Sequence, residues 1–143
     1  MKSTTTHTTS AQEYAKALGL PIYYDDLTPR LRGLYLPQSN CIFLRPDQHP
    51  HMENWVLWHE IGHYHTRSSH IASRKDRNSI EQRCDRYAAI QSLPLGLLCN
   101  KDLYSPDLAQ WAYNLRTPPR ALKTRLQYLT FNEKMLLPEQ IKI

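Results

Sequence analysis

Apolar and polar positions follow two rhythms along this chain, and the switches between them mark out its elements. Ser10–Ala11–Gln12–Glu13 has the capping-box spacing, a hydroxyl residue with Glu three places on. Tyr14, Ala17 and Leu18 follow at helical intervals before Gly19, which predicts a short helix closed by the glycine. Pro21–Ile22–Tyr23–Tyr24 reads as a strand cut off by Asp25–Asp26. Leu31 to Leu36 and Cys41 to Leu44 are rich in strand formers, and Pro37–Gln38–Ser39–Asn40 between them has turn chemistry, so together they predict a β-hairpin. Beyond Pro46 and Pro50 the rhythm turns helical, from about Met52 to Thr66.

Arg67 to Asn78 is polar, basic and aperiodic and reads as a loop. Ser79 stands as the N-cap of a helix from about Ile80 to Leu93, stopped by Pro94 and Gly96, with Leu95 to Leu103 as a connection. Ser105–Pro106–Asp107 predicts a capped helix reaching about Leu115, with Pro at its first position. Thr117–Pro118–Pro119 opens another, carrying Leu122, Leu126 and Leu129, and Asn132 to Leu137 is a last amphipathic piece. A helix, a small antiparallel sheet of about three strands and then a run of helices define the α+β class. Met1 to Ser10, polar and Thr-rich, reads as a flexible lead-in to a single domain over 11–143. Within that domain, 105–137 has a helix–turn–helix look.

The middle helix carries the chemistry. It contains His59, Glu60 and His63 in the pattern H-E-x-x-H. Residues four apart on a helix lie about 40° apart around its axis, so the two imidazoles point the same way and can grip one metal ion. Glu60 lies on the flank of that face, within reach of a water on the metal, while Leu57, Trp58, Ile61 and Tyr64 fall roughly opposite. That is the mechanical content of the zinc-peptidase motif. The pentapeptide alone also fits two surface histidines and a solvated glutamate. Gly62 adds weight: a mid-helix glycine costs about 1 kcal/mol relative to alanine, which calls for close approach of another backbone.

Catalytic zinc takes three protein ligands and keeps one position open. The metzincin histidine is absent, since positions 66 and 69 are Thr and Ser. His65 points about 160° away from the metal face on a straight helix. His70, in the loop, could reach the cleft. Glu81, 18 residues after His63, is the better candidate, because Glu81, Cys84, Asp85 and Ala88 share one face of the following helix. Asp85 would then hydrogen-bond a ligand imidazole and fix its tautomer. The plain alternative is that Glu81 and Asp85 pair at the surface with Arg77, Arg83 or Arg86.

Composition narrows the setting. The 143 residues are 41% hydrophobic and 22% charged, which suits one globular domain with a genuine core. No apolar run approaches the roughly 18 residues a membrane span needs, and no secretory signal is visible. Cys41, Cys84 and Cys99 are odd in number and lack C-x-x-C spacing, which argues against a disulfide framework and a thiolate zinc site and favours the cytoplasm. The net charge of +5 is compatible with nucleic-acid binding, and equally with a mildly basic surface.

Leu57–Trp58–His59–Glu60–Ile61–Gly62–His63, followed by Glu81–Gln82–Arg83–Cys84–Asp85–Arg86–Tyr87–Ala88–Ala89 and then Pro94, resembles the ImmA/IrrE metallopeptidases. The resemblance extends over most of 11–130, with Cys84 and Tyr87 at positions usually Ala and Phe. It implies a gluzincin-like Zn2+ site with His59, His63 and Glu81 as ligands and Glu60 as base. It also implies a protein substrate, a DNA-binding transcriptional repressor of a mobile element or stress regulon. Peptide hydrolysis further needs a group to steady the oxyanion. Tyr64, His70 and Tyr87 are possible, and the sequence does not choose among them. An extended substrate could add to an exposed hairpin edge. The rival expectation is a non-catalytic regulator that binds a repressor or DNA through Arg116, Arg120, Lys123 and Arg125.

Overall fold

The computed structural model describes residues 10–68 and 74–141. All of the expected lead-in, 1–10, but Ser10, and also His70, lie outside them. Helix α1 (Ala11–Leu18) has the capping box in full: Ser10 Oγ accepts from Glu13 N–H at 3.1 Å, Glu13 accepts from Ser10 N–H at 3.0 Å, and Gly19 ends the helix at φ 70°. Strands β1 (Ile22–Tyr24), β2 (Gly33–Leu36) and β3 (Cys41–Leu44) form one sheet in the order β1-β3-β2. The β2–β3 hairpin is antiparallel as expected, with Tyr35 opposite Ile42.

The sheet as a whole is mixed, not antiparallel, because β1 runs parallel to β3. The physical reason is the connection from Asp25 to Arg32, which is too long for a hairpin turn and returns the chain beyond β3. The centre then falls to β3, three of whose four residues are buried.

Helix α2 (Pro50–Thr66) opens with His49 as N-cap and Pro at its first position, and every residue from Trp55 to His63 is buried. Helix α3 (Arg74–Ser92) begins well before the expected Ser79. Its first residues are helix-tolerant and polar, and Asp76 to Ser79 are exposed, so no apolar period announces them. The expected connection after it holds one helical turn, α4 (Leu95–Leu98). Helix α5 (Leu108–Asn114) is capped by Asp107 rather than Ser105, whose hydroxyl instead accepts from Asp107 N–H at 3.1 Å. Helices α6 (Pro119–Gln127) and α7 (Phe131–Leu136) follow, the latter with its own capping box, Thr130 and Glu133.

Two apolar clusters hold the fold. One joins α1, the sheet and α2 around Tyr35, Ile42, Leu44, Leu57, Trp58 and Ile61. The other joins the later helices around Leu93, Leu98, Trp111, Leu115, Leu122 and Leu129. Helix α6 belongs to both, with Ala121 in the first and Leu122 in the second. Burying a large apolar side chain contributes about 1.5–3 kcal/mol, so α2, buried along most of its length, is the fixed element against which the site is built.

Candidate metal centre

Gly62 lets α2 and α3 approach. A Cβ there would lie 3.3 Å from Cα, Cβ and Sγ of Cys84, which is the close contact that a mid-helix glycine calls for. Glu81 lies about one turn before Cys84 and Asp85 directly follows it, so this contact carries both carboxylates to the histidine face of α2. Glu81 Oε1 lies 3.0 Å from His59 Nε2, and Glu81 Oε2 lies 2.7 Å from His63 Nε2. The other ring nitrogens are held from behind. His59 Nδ1 meets Asp85 Oδ1 at 2.7 Å, and His63 Nδ1 meets Ser68 Oγ at 3.0 Å. Burial opposes charge on His59. The hydrogen bonds to Asp85 and Glu81 and the nearby Glu60 carboxylate outweigh it and raise its pKa from 6.5 to about 10. Both ring nitrogens of His59 thus face carboxylate oxygens.

Glu60 is buried and held by the sheet: its Oε1 accepts the Tyr35 backbone N–H at 2.9 Å. This contact depends on Gly33. A Cβ there would fall 2.7 Å from Val56 Cγ1 and 3.1 Å from Glu60 Cγ, so only glycine lets β2 lie this close to α2. Donor atoms of His59, Glu60 and His63 lie within 4.8 Å of one another, an arrangement that could hold a metal ion. The two imidazoles with a carboxylate are a donor set suited to zinc. An open cleft of about 420 Å3 lies beside them, lined by His59, Glu60, Glu81 and Asp85 and walled by Arg32, Trp55 and Arg120.

The structure thus brings together His59, Glu60, His63, Glu81 and Asp85. It does not bring Tyr64 or Tyr87 to the cleft. Tyr64 packs edge-on against Tyr35 with ring centroids 5.9 Å apart. Tyr87 lies against Trp58 and His65 on the core side, where burial and a hydrogen bond with Tyr14 push its pKa up. Both rings serve the apolar back of α2 instead of its chemical face.

The basic set near α6 is also dispersed. Arg125 is 3% exposed, and its Nε donates to Leu93 O at 2.7 Å. Arg120 lies with Cζ 5.5 Å from the Trp55 ring centroid, and its Nη2 is 3.6 Å from Asp85 Oδ2.

Three contributors escaped the sequence reading: Ser68, Gly33 and the Tyr35 amide. Only Ser68 had a local signal. Arg67 adopts φ 53° at the end of α2 and turns the chain so that Ser68 meets His63.

Residues 15–126 match the Peptidase_M78 family, described as the IrrE N-terminal-like domain. The chain belongs to this family, which makes it a metallopeptidase-type protein. Neither the curated proteins nor the solved structures give a match.

Proposed function

We propose that this chain is a zinc-dependent endopeptidase that cuts a specific protein, a DNA-binding transcriptional repressor of a mobile element or stress regulon. The observation that carries the reading is the convergence of His59 Nε2 and His63 Nε2 on the Glu81 carboxylate, with Asp85 and Ser68 behind the two rings. His59, His63 and Glu81 would hold Zn2+. When bound, the ion would supply Lewis acidity, lowering the pKa of water to about 7 and polarising the scissile carbonyl.

Glu60 is kept apart from the ligands in this reading, because Tyr35 N–H already orients its carboxylate from the sheet. It takes the proton of the attacking water and returns it to the leaving amine. Asp85 fixes the tautomer of His59 through Nδ1, and Ser68 positions His63 in the same way. The substrate chain lies extended along β2, the edge strand beside Glu60.

The setting we propose is cytoplasmic. The three cysteines are free, and among the described residues no helix is long and apolar enough to cross a membrane. The burial of Arg125 weakens the alternative of a DNA-binding regulator, since that guanidinium is engaged inside the fold.

The test is Glu60→Gln in the zinc-loaded chain, assayed on candidate DNA-binding repressors. The variant should keep one zinc and lose hydrolysis, and a chelator should abolish cleavage by the parent. Cleavage by Glu60→Gln at the parent rate would remove Glu60 as the base.

A further inference from the structure

The cleft beside Glu60 has arginines on two walls: Arg30 and Arg32 on the connection before β2, and Arg120 at the start of α6. The connection is held in place. Arg45 Nη2 lies 2.8, 2.7 and 2.7 Å from the carbonyl oxygens of Thr28, Pro29 and Leu31. Leu31 N–H closes a turn onto Thr28 O at 2.9 Å, and Arg32 O accepts from Arg45 N–H and from Gln48 Nε2. One arginine is thus engaged in fixing the backbone from which two others project. Arg30 and Arg32 are themselves exposed, and among the described residues neither has a carboxylate at ion-pair distance. Arg120 is 74% exposed and only loosely paired with Asp85 at 3.6 Å, so its remaining donors stay available.

The strand below them, β2, is an edge of the sheet. Arg32 pairs with Arg45 across the hairpin, so Gly33 and Tyr35 turn their backbone groups away from β3, and the Tyr35 amide reaches Glu60. We propose that the cleft selects peptide segments bearing Asp or Glu side chains near the bond to be cut, with Arg30 and Arg32 reading one side and Arg120 the other. This rests on the peptidase reading above and adds the substrate class. A nucleic acid fits less well, because it would carry a phosphate at every step over Glu60, Glu81 and Asp85. A peptide can present neutral backbone there and place its carboxylates only at the arginines.

The probes are fluorescent peptides of one apolar sequence with Glu, Gln or Lys at positions flanking a single cleavage site, used with the zinc-loaded full chain. The Glu peptide should be cut with the lowest KM, and its advantage should shrink as salt is raised. Each arginine should be worth roughly twofold to fivefold. In Arg30→Gln/Arg32→Gln the Glu-to-Gln ratio should fall towards one, and in Arg30→Glu/Arg32→Glu preference should move to the Lys peptide, with zinc content checked for both. Equal KM for the Glu and Gln peptides, or a preference that survives in these variants, overturns the inference.

If no peptide is cut, the peptidase reading fails by itself. Anisotropy of the same peptides on Glu60→Gln then decides this inference: tighter Glu-peptide binding that depends on Arg30 and Arg32 supports it, and equal binding overturns it. Displacement of the Glu peptide by duplex DNA at lower concentration than by unlabelled Glu peptide would assign the arginines to phosphate instead, and also overturns it.

Discussion

Gly62 on α2 faces Cys84 on α3 so closely that any Cβ at position 62 would come within 3.3 Å of the Cys84 backbone. The distance between the two helices, and with it the reach of Glu81 to both imidazoles, is set at this point. Replacement by alanine adds about 1 kcal/mol of helix propensity but overpacks an interface where crowding costs about 1–3 kcal/mol. Gly62→Ala should therefore lose up to about 2 kcal/mol in urea unfolding. It should also bind zinc more weakly in a competition titration, because the neighbour that must move is backbone. Unchanged stability and affinity would show that α3 can yield without disturbing Glu81.

Much of this was legible beforehand for a local reason. The capping box at Ser10 and Glu13, the H-E-x-x-H spacing and the placement of Glu81 and Asp85 one turn apart are properties of a single helix each, and sequence intervals carry them directly. The need for a close neighbour at Gly62 was readable as a propensity cost. Contacts made between elements distant in sequence were not readable. Tyr35 N–H meets Glu60 across 25 positions, and Arg125 meets Leu93 O across 32. The buried Arg125 looked like part of a basic surface because its neighbours in sequence are basic, while its surroundings are set by α3 and α7. The start of α3 was missed because an exposed polar helix has no apolar period.

Asp85 accepts from His59 Nδ1 at 2.7 Å and should tune zinc binding without touching the ion. Asp85→Asn keeps the shape and removes the charge. Losses of such partners typically cost about 10- to 100-fold in metal affinity, and a chelator competition titration should find a loss in that range. Parent affinity in the variant would mean that the carboxylate is a surface group only.

Cys84 should be inert in the native, metal-free chain. It is buried, and burial together with the Glu81, Glu60 and Asp85 carboxylates pushes its pKa up to about 12. Thiolate is the reactive form, so iodoacetamide at pH 8 should label Cys99 first and leave Cys84 unmodified until denaturant is added. Mass spectrometry of tryptic peptides reads the order. Early labelling of Cys84 would show that α2 and α3 separate readily.

The C-terminal helices should loosen in acid. The Thr130 backbone N–H and then the Arg125 guanidinium hold Glu133 below its ordinary pKa of 4.5. A carboxylate whose pKa is lowered on folding stabilises the fold above its unfolded value, and that contribution is lost as pH falls through the lower folded value. Protection of the α7 amides, measured against their intrinsic exchange rates, should therefore fall below about pH 4.5, with the pH dependence reduced in Glu133→Gln. Arg125→Leu, which leaves Leu93 O without its donor, should cost about 1–3 kcal/mol at neutral pH. An α7 whose protection is flat across this range would contradict the role given to Glu133.

The most direct measurement is anomalous diffraction at the zinc edge from crystals of the zinc-loaded chain. The account predicts a single strong peak within bonding distance of His59 Nε2, His63 Nε2 and a Glu81 oxygen, with Glu60 oriented by Tyr35 N–H and off the metal. A peak bonded to Glu60 in place of Glu81, or no peak between α2 and α3, would contradict it.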